Sequence, residues 1–301
     1  MAFRVIPHQP IDEELRRVLK EEMTSAAEQL RRSAKGNGDK AIHEARKSVK
    51  KIRAVLRLLE GELGGVYDEK SIAFRQIGRT LSELRDAGAM VETFDGLRKR
   101  YANQVDGRVW TALRSILLRR KRETEKTVDT ETVFRSYPDD LETMATQVDG
   151  WLQSRDTGFG MFAPGFEKAF HRGRRAMQKA RKRPTPENFH EWRKRIKDHW
   201  YHVRLLTRVW GEMMEAYGGV LNDMQTWLGD DHNLFVLEQI VAGEEGVQDL
   251  LSVMKRHQEQ LREQTFIAGA RVYQTKPKQL GRIVKFLWNA PLEKAEVIGE
   301  L

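Results

Sequence analysis

One basic phrase occurs twice in this chain, with the second copy 147 residues after the first. The segments that begin at His43 and at His190 both read H-E-x-R-K-x-x-K. In both copies R-L-L follows, with its arginine seven residues after the last lysine. Since the repeat preserves basic residues as well as apolar ones, it predicts an internal duplication whose two halves face the same kind of anionic target.

The overall charge agrees with an anionic partner but does not identify it. The 301 residues include 53 Lys and Arg against 44 Asp and Glu, and the isoelectric point is near 9.6. Such a balance attracts nucleic acid, anionic lipid or polyphosphate without distinguishing among them. The absence of cysteine excludes disulfides and thiolate metal sites, and it agrees with a reducing compartment.

Targeting signals are also missing from the sequence. The first residues lack the apolar core of a signal peptide, and no apolar run approaches the roughly 20 residues that span a membrane. We therefore expect a cytoplasmic protein without a membrane partner.

Apolar residues recur with the spacing of α-helices, and no useful stretch alternates in the manner of a β-strand. The expected fold class is all-α, with two pseudo-symmetric antiparallel helical bundles that arise from the duplication. We assign the first bundle to residues 1–130, a linker with a short helix to 131–160, and the second bundle to 161–301. Helices are predicted for residues 11–32, 40–60, 68–85, 90–103, 108–128, 166–182, 187–210, 217–228, 234–241 and 247–273.

On a helix, the basic residues of each copy fall on one face. At about 100° per residue, the cations and the histidine of the first copy share an arc of about 120° and form a stripe about 21 Å long. The motif glutamates, Glu44 and Glu191, should lie at the edge of each stripe and leave it unneutralised. A linear polyanion would match the length of the stripe and relieve the repulsion within it. The predicted binding residues are His43, Arg46, Lys47, Lys50, Arg53, Arg57, His190, Arg193, Lys194, Lys197, Arg204 and Arg208.

The opposite face of each motif helix is apolar and should turn into the core of its bundle. If a pseudo-twofold axis relates the halves, the two basic stripes should line one shared groove. The residues expected to point away from that groove are Ile42, Val49, Ile52, Trp192, Ile196 and Val203.

A second pair of segments follows the two copies with the same offset. Leu81 begins L-S-E-L-R-D, and Leu228 begins L-G-D-D-H-N. Together with the paired H-x-x-R-K-x-x-K helices, these segments resemble the CHAD domain, a histidine-containing α-helical domain with an L-G-x-x-R-D segment. The resemblance covers about residues 10–290. It implies one CHAD domain of two helical bundles, whose matching basic residues bind inorganic polyphosphate. Phosphate or sulfate could occupy the same site, and association with polyphosphate granules stays open.

The chain departs from the family pattern at four positions. Trp200 and Asp198 stand where the first copy has basic residues, so they lower the charge of the second stripe. Ser82 and Asn233 replace the glycine and the aspartate of the second motif. A basic run between residues 172 and 183 is expected to compensate. The N-terminal segment does not resemble the E-x-E-x-K strand of the triphosphatase domain that many CHAD domains are fused to, so we expect a stand-alone CHAD protein.

Four functions remain open at this point, of which the fourth is a scaffold whose basic face meets an acidic protein. The first is non-enzymatic binding of inorganic polyphosphate, which needs neither a cofactor nor a metal. The second is nonspecific binding of nucleic acid through its phosphates, but only Tyr201 is an aromatic residue near the centre of either stripe. The third is a metal-dependent polyphosphatase, for which Asp86, Asp230 and Asp231 are the candidate ligands. The first function is favoured, so we expect no enzymatic activity.

Overall fold

α-Helices make up nearly all of the described structure, as the sequence predicts. Within residues 3–33, 38–127, 132–152 and 158–290, which the computed structural model describes, there are eleven α-helices and no β-strand. The helices are α1 (Ile11–Ser33), α2 (Gly38–Leu58), α3 (Glu60–Leu63), α4 (Gly65–Tyr101), α5 (Gly107–Thr127), α6 (Tyr137–Gln147), α7 (Ala163–Lys182), α8 (Pro186–Leu205), α9 (Gly211–Val241), α10 (Gln248–Val272) and α11 (Pro277–Asn289).

Two helices are longer than the sequence predicted. α4 continues through Gly88, and α9 continues through Gly229, although each was predicted as two separate helices. A glycine inside a helix costs about 1 kcal/mol relative to alanine, which tertiary packing readily offsets. α4 packs against α2, α5 and α9, and α9 packs against α8 and α10. α11 was not predicted, although Pro277 in its first turn is a typical helix start.

Local sequence signals fix the start of the second motif helix. The Thr185 side chain accepts a hydrogen bond from the Asn188 backbone N–H at 3.4 Å, and Pro186 occupies the first turn of α8. Both features are typical of a helix N-terminus. The Thr185 side chain accepts from a backbone N–H that has no partner within the helix, and proline has no backbone N–H that would need a partner. The basic motif therefore begins one turn into a firmly capped helix.

The helices pack in an ordered series. α1 packs on α2 and on α6, the short helix of the predicted linker. α2 also packs on α4, and α4 packs on α5. After the linker, α7 packs on α8, α8 on α9, and α9 on α10, while α11 covers α7. α2 touches both α7 and α8, and α4 touches α9, so the two parts of the chain meet along these helices.

The apolar residues form two cores, and each core draws on both sides of the predicted linker. The larger one contains α1 and α2 side chains such as Leu19 and Ile52 together with α7 and α8 side chains such as Phe170 and Trp192. The smaller one joins the second half of α4 and α5 to the end of α9 and α10. Burial of this apolar surface is the main force that holds the two parts together.

Candidate anion-binding cavity

The two motif helices contact each other directly. The Arg57 guanidinium donates to Asp198 Oδ1 at 2.6 Å, and His202 Nε2 lies 2.9 Å from the Ala54 carbonyl oxygen. Burial lowers the pKa of His202 to about 4, so its imidazole is neutral, and Nε2 must carry the proton that the carbonyl accepts. These two contacts hold the basic faces of α2 and α8 in a defined relation.

The apolar faces of both motif helices point away from the basic ones, as predicted. All six residues that were expected to turn into the core are buried: Ile42, Val49, Ile52, Trp192, Ile196 and Val203. The prediction that both copies form amphipathic helices is therefore confirmed. The basic faces are left to line a space between the helices.

That space is a cavity of about 1730 Å³, with walls from α2, α4, α5, α7, α8 and α9. Both copies of the motif line it, which agrees with the expected shared groove. The predicted residues on its wall are His43, Arg46, Lys47, Lys50, Arg53, Arg57, His190, Arg193, Lys194 and Lys197.

Arg204 and Arg208 are not among the described residues of the wall, so the structure does not bring them together with the other ten predicted residues. α8 meets α2 near His202, which ends the open part of the second stripe before Arg204 is reached. The Arg204 guanidinium lies instead over the Trp200 ring, 4.9 Å from its centroid. α8 ends at Leu205 rather than near residue 210, so Arg208 lies beyond it, exposed, in the short 3-10 helix Thr207–Val209.

Other helices add cations that the repeat did not reveal. Arg172, Arg175 and Lys179 of α7 line the cavity with the spacing of one helix face, and they belong to the basic run that was expected to compensate. Arg75 of α4 and Arg120 of α5 also line it. Neither was found from sequence, because an isolated arginine on a helix gives no periodic signal. Arg195 was likewise missed because it lies off the predicted stripe.

The described part of the wall is strongly positive. It contains fourteen Lys and Arg residues but only three carboxylates, those of Glu83, Glu191 and Asp198. Burial, together with the nearby charges of Arg193 and Arg46, lowers the pKa of Lys197 to about 8. Burial and Arg57 lower the pKa of Arg53 to about 10. The cations are therefore crowded and partly desolvated, which an incoming anion would relieve.

The motif glutamates form ion pairs that the sequence did not predict. Glu44 accepts a hydrogen bond from Lys47 at 2.9 Å, and Glu191 lies 3.4 Å from Lys194. Glu191 also accepts from Arg195 Nε at 2.7 Å. The expectation that these carboxylates leave their stripes unneutralised was wrong, because glutamate and lysine three residues apart face each other on a helix. Each copy thus holds its central lysine in place with its own glutamate.

Two histidine rings of the cavity pack against each other at a tilt. The rings of His190 and His232 have centroids 4.2 Å apart, with 40° between their planes. Burial, His232 and the adjacent charges of Lys194 and Arg193 lower the pKa of His190 to about 4. His43, in contrast, is exposed on the cavity wall. His190 is therefore neutral at neutral pH when no anion is bound.

The segment L-G-D-D-H-N supports the second stripe from α9. A Cβ on Gly229 would lie 2.9 Å from Arg193 Nη2, so the glycine allows this arginine to approach α9 closely. Asp231 turns away from the cavity and accepts from Arg262 Nε at 2.6 Å. Asn233 Nδ2 donates to the Thr93 hydroxyl at 3.3 Å, which ties α9 to α4.

The candidate ligands for a metal do not converge in the described part of the chain. No three His, Asp or Glu side chains there are grouped as they would be around a metal ion. The Asp231 carboxylate is paired with Arg262, whereas the His232 ring packs at a tilt against the His190 ring. In the corresponding L-S-E-L-R-D segment, the Ser82 hydroxyl donates to the Gly78 carbonyl oxygen at 2.7 Å. The side chains of Arg85 and Asp86 lie outside the described residues.

The fold and the cavity define an all-helical protein whose central wall concentrates positive charge. Residues 13–242 match the family model of the CHAD domain, and the chain therefore belongs to the CHAD family. The fold is similar to that of PptA from Streptomyces chartreusis, with a TM-score of 0.59 and 14% sequence identity. That match covers 90% of this chain and 100% of PptA. No curated protein matches the sequence significantly. CHAD domains are generally linked to polyphosphate binding.

None of the helices in the described part of the chain has the length and apolar character that crossing a bilayer requires.

Proposed function

We propose that this chain binds inorganic polyphosphate in the cavity between α2 and α8 without catalysing its breakdown. The observation that carries the proposal is the meeting of both motif copies on one cavity wall. Lys47 and Lys194 would act as point charges, whereas Arg46 and Arg193 would contact phosphoryl oxygens through their planar forks. A linear chain of phosphates could satisfy both stripes in succession, which a single small anion could not do.

An internal duplication would explain why two equivalent stripes face one cavity. The contacts α1–α2, α2–α4 and α4–α5 recur in the same order as α7–α8, α8–α9 and α9–α10. This parallel supports two related bundles, in residues 1–130 and 161–301, on either side of the linker at 131–160. The cross-contacts of α2 with α8 and of α4 with α9 pair equivalent helices, as a pseudo-twofold axis requires.

The state of the carboxylates supports a binding role rather than hydrolysis. Asp198 is paired with Arg57, Glu191 with Arg195, and Glu83 with Arg79. These three are the acidic side chains on the described part of the wall. A carboxylate that is already neutralised by an arginine is a poor ligand for a metal cation and a poor general base.

The aromatic content of the wall favours polyphosphate over nucleic acid. Tyr67 and Tyr201 are the aromatic residues among the described lining, and Tyr201 is only 4% exposed. Proteins that hold single strands without sequence preference stack successive bases on exposed aromatic rings.

Because the sequence contains no cysteine and no apolar run of about 20 residues, we propose a cytoplasmic location. Polyphosphate granules would be one place of binding there.

Parallel titrations with long-chain polyphosphate and with single-stranded RNA, over a series of salt concentrations, test the proposal. We expect tighter binding of polyphosphate at every salt concentration, and an affinity that falls steeply as salt rises. No release of orthophosphate should accompany binding, with or without added Mg²⁺ or Mn²⁺. Tighter binding of RNA, or steady release of orthophosphate, would reject the proposed function.

A further inference from the structure

The positive charge of the cavity is confined to one side of its wall. Of the fourteen Lys and Arg residues on the described wall, twelve belong to α2, α7 and α8. On the side formed by α5, α9 and the second half of α4, the described lining contains a single one, Arg120. That side presents aliphatic side chains instead, which we call the apolar wall: Ala89, Met90, Leu117, Val236 and Ile240.

The apolar wall is a preformed part of the fold. Its residues belong to the smaller core or pack against it. Met90 and Leu117 are 6% and 2% exposed and form the base of the wall, whereas Val236 and Ile240 are half-buried. The Asn233–Thr93 hydrogen bond joins α9 to α4 beside it. A ligand that packs here would therefore not have to order a mobile surface.

Polar groups accompany the apolar wall and connect it to the basic side. The lining of this side includes the Arg120 guanidinium, the Thr124 hydroxyl and the Asn233 amide. His232 belongs to the same side, and its ring packs at a tilt against that of His190 on the basic side, with the ring centroids 4.2 Å apart. The two chemical environments are thus in contact within a single cavity.

Inorganic polyphosphate can make favourable contacts only with the basic side of such a cavity. It has no apolar atoms, so the apolar wall would stay in contact with water while the phosphates bind elsewhere. An apolar group attached to the phosphate chain would displace that water and gain the hydrophobic contribution. An apolar surface with a few polar groups beside it is also the usual composition of a small-molecule site.

We propose, on the basis of the polyphosphate-binding function above, that the cavity also accepts phosphate chains esterified to a nucleoside. The phosphates would lie against α2, α7 and α8, and the flat base would pack against Val236 and Ile240. The Arg120 guanidinium could stack on the ring, and Asn233 and Thr124 could hydrogen-bond to its edge. The ligand class is therefore a nucleoside oligophosphate.

Calorimetric titration of the full chain with inorganic tetraphosphate and with adenosine 5′-tetraphosphate tests this proposal. The ester carries less negative charge than the inorganic chain, so electrostatics alone would make it the weaker ligand. We expect it to bind about tenfold more tightly, which corresponds to about 1.4 kcal/mol. Equal or weaker binding of the ester, with measurable binding of the inorganic chain, would overturn the inference and leave the proposed function intact. No binding of inorganic chains of any length would instead overturn the proposed function.

Two variants on α9 test whether the apolar wall causes the preference for the ester over inorganic tetraphosphate. Val236→Asn places an amide on the apolar wall, and we expect it to abolish the preference for the ester while inorganic tetraphosphate binds as before. Val220→Asn is the matched control, because Val220 is 39% exposed on the same helix and is not among the residues that line the cavity. Retention of the preference in Val236→Asn, with helical content unchanged by circular dichroism, would contradict the proposal.

Discussion

At the scale of single residues, the histidines divide into two groups according to their surroundings. His199 and His202 are fully buried, and burial lowers their pKa values to about 3 and about 4. They fasten α8 to its neighbours through the Tyr217 hydroxyl, at 3.0 Å, and the Ala54 carbonyl oxygen. His190 has a similarly low pKa but lines the cavity beside Lys and Arg side chains. The first group should therefore govern stability, and His190 should govern the pH dependence of binding.

The buried pair predicts a loss of stability in mild acid. Both histidines stay neutral in the folded chain but bind protons near pH 6.5 when unfolded, so lowering the pH favours the unfolded state. Between pH 7 and pH 5 each should cost about 2 kcal/mol of the free energy of unfolding. His202→Gln keeps a donor for the Ala54 carbonyl and cannot titrate, so between pH 7 and pH 5 its free energy of unfolding in urea should fall by about 2 kcal/mol less than that of the wild type. An unchanged slope in this variant would contradict the assignment.

The cavity histidine predicts uptake of a proton on binding. An anion beside His190 favours the imidazolium, so its pKa rises from about 4 in the empty cavity towards the ordinary value. A group whose pKa is higher in the complex strengthens binding as pH falls from the pKa of the complex towards that of the empty cavity, here from about pH 6.5 to about pH 4 and by up to about tenfold per pH unit for one proton.

Binding enthalpies measured in buffers with different ionisation enthalpies report this proton directly. We expect a clear buffer dependence in the wild type, and little in the double variant His43→Ala with His190→Ala. Enthalpies that are the same in all buffers for the wild type would show that no imidazole titrates on binding.

At the scale of helices, the close approach of α9 to α8 positions one of the cavity arginines. Gly229 leaves room for the Arg193 guanidinium, since a Cβ there would lie 2.9 Å from Nη2. The end of a flexible side chain can move aside, so a methyl group would displace Arg193 without breaking the helix. At Gly165, by contrast, an added Cβ would overlap the Leu58 backbone, which cannot move aside as the end of a side chain can.

Gly229→Ala should therefore weaken polyphosphate binding several-fold while leaving stability within about 1 kcal/mol, since alanine favours the helix. Gly219→Ala on the same helix is the control, because nothing lies within 4 Å of its added Cβ. Titration with polyphosphate and thermal unfolding of both variants provide the comparison. Equal affinities in the two variants would mean that the position of Arg193 does not matter for binding.

Prediction from sequence was most accurate for the helices, and it failed where tertiary packing decides the outcome. The helices and their inward faces followed from periodic spacing, which is a local property of the chain. The continuity of α4 through Gly88 depends on packing against α2, α5 and α9, which no local pattern reveals. Arg204 has the right angular position on its helix but meets a cluster of aromatic rings instead of the cavity. Arg75 and Arg120 reach the wall only through the tertiary fold.

At the scale of the whole molecule, the two cores place a cavity of mixed character between the two parts of the chain. The larger core holds α2, α7 and α8 with their basic faces outward, and the smaller core supplies the apolar wall. The repulsion among the fourteen Lys and Arg residues that line the described part of the cavity is offset by the packing of the helices that carry them. A polyanion that relieves this repulsion should bind most tightly where both stripes act on the same chain.

Titration of charge-reversed variants with long-chain polyphosphate measures whether both stripes take part in binding the anion. Lys47→Glu with Lys194→Glu reverses one cation on each stripe, and Lys255→Glu with Lys278→Glu makes the same change in net charge at exposed positions that are not among the cavity-lining residues. If both stripes bind the polyphosphate, we expect a loss of affinity of at least about 100-fold and a shallower salt dependence in the first variant, with helical content unchanged. The second variant should stay within a few-fold of the wild type. An unchanged affinity in the first variant, or an equal loss in both, would contradict a binding site built from the two repeated helices.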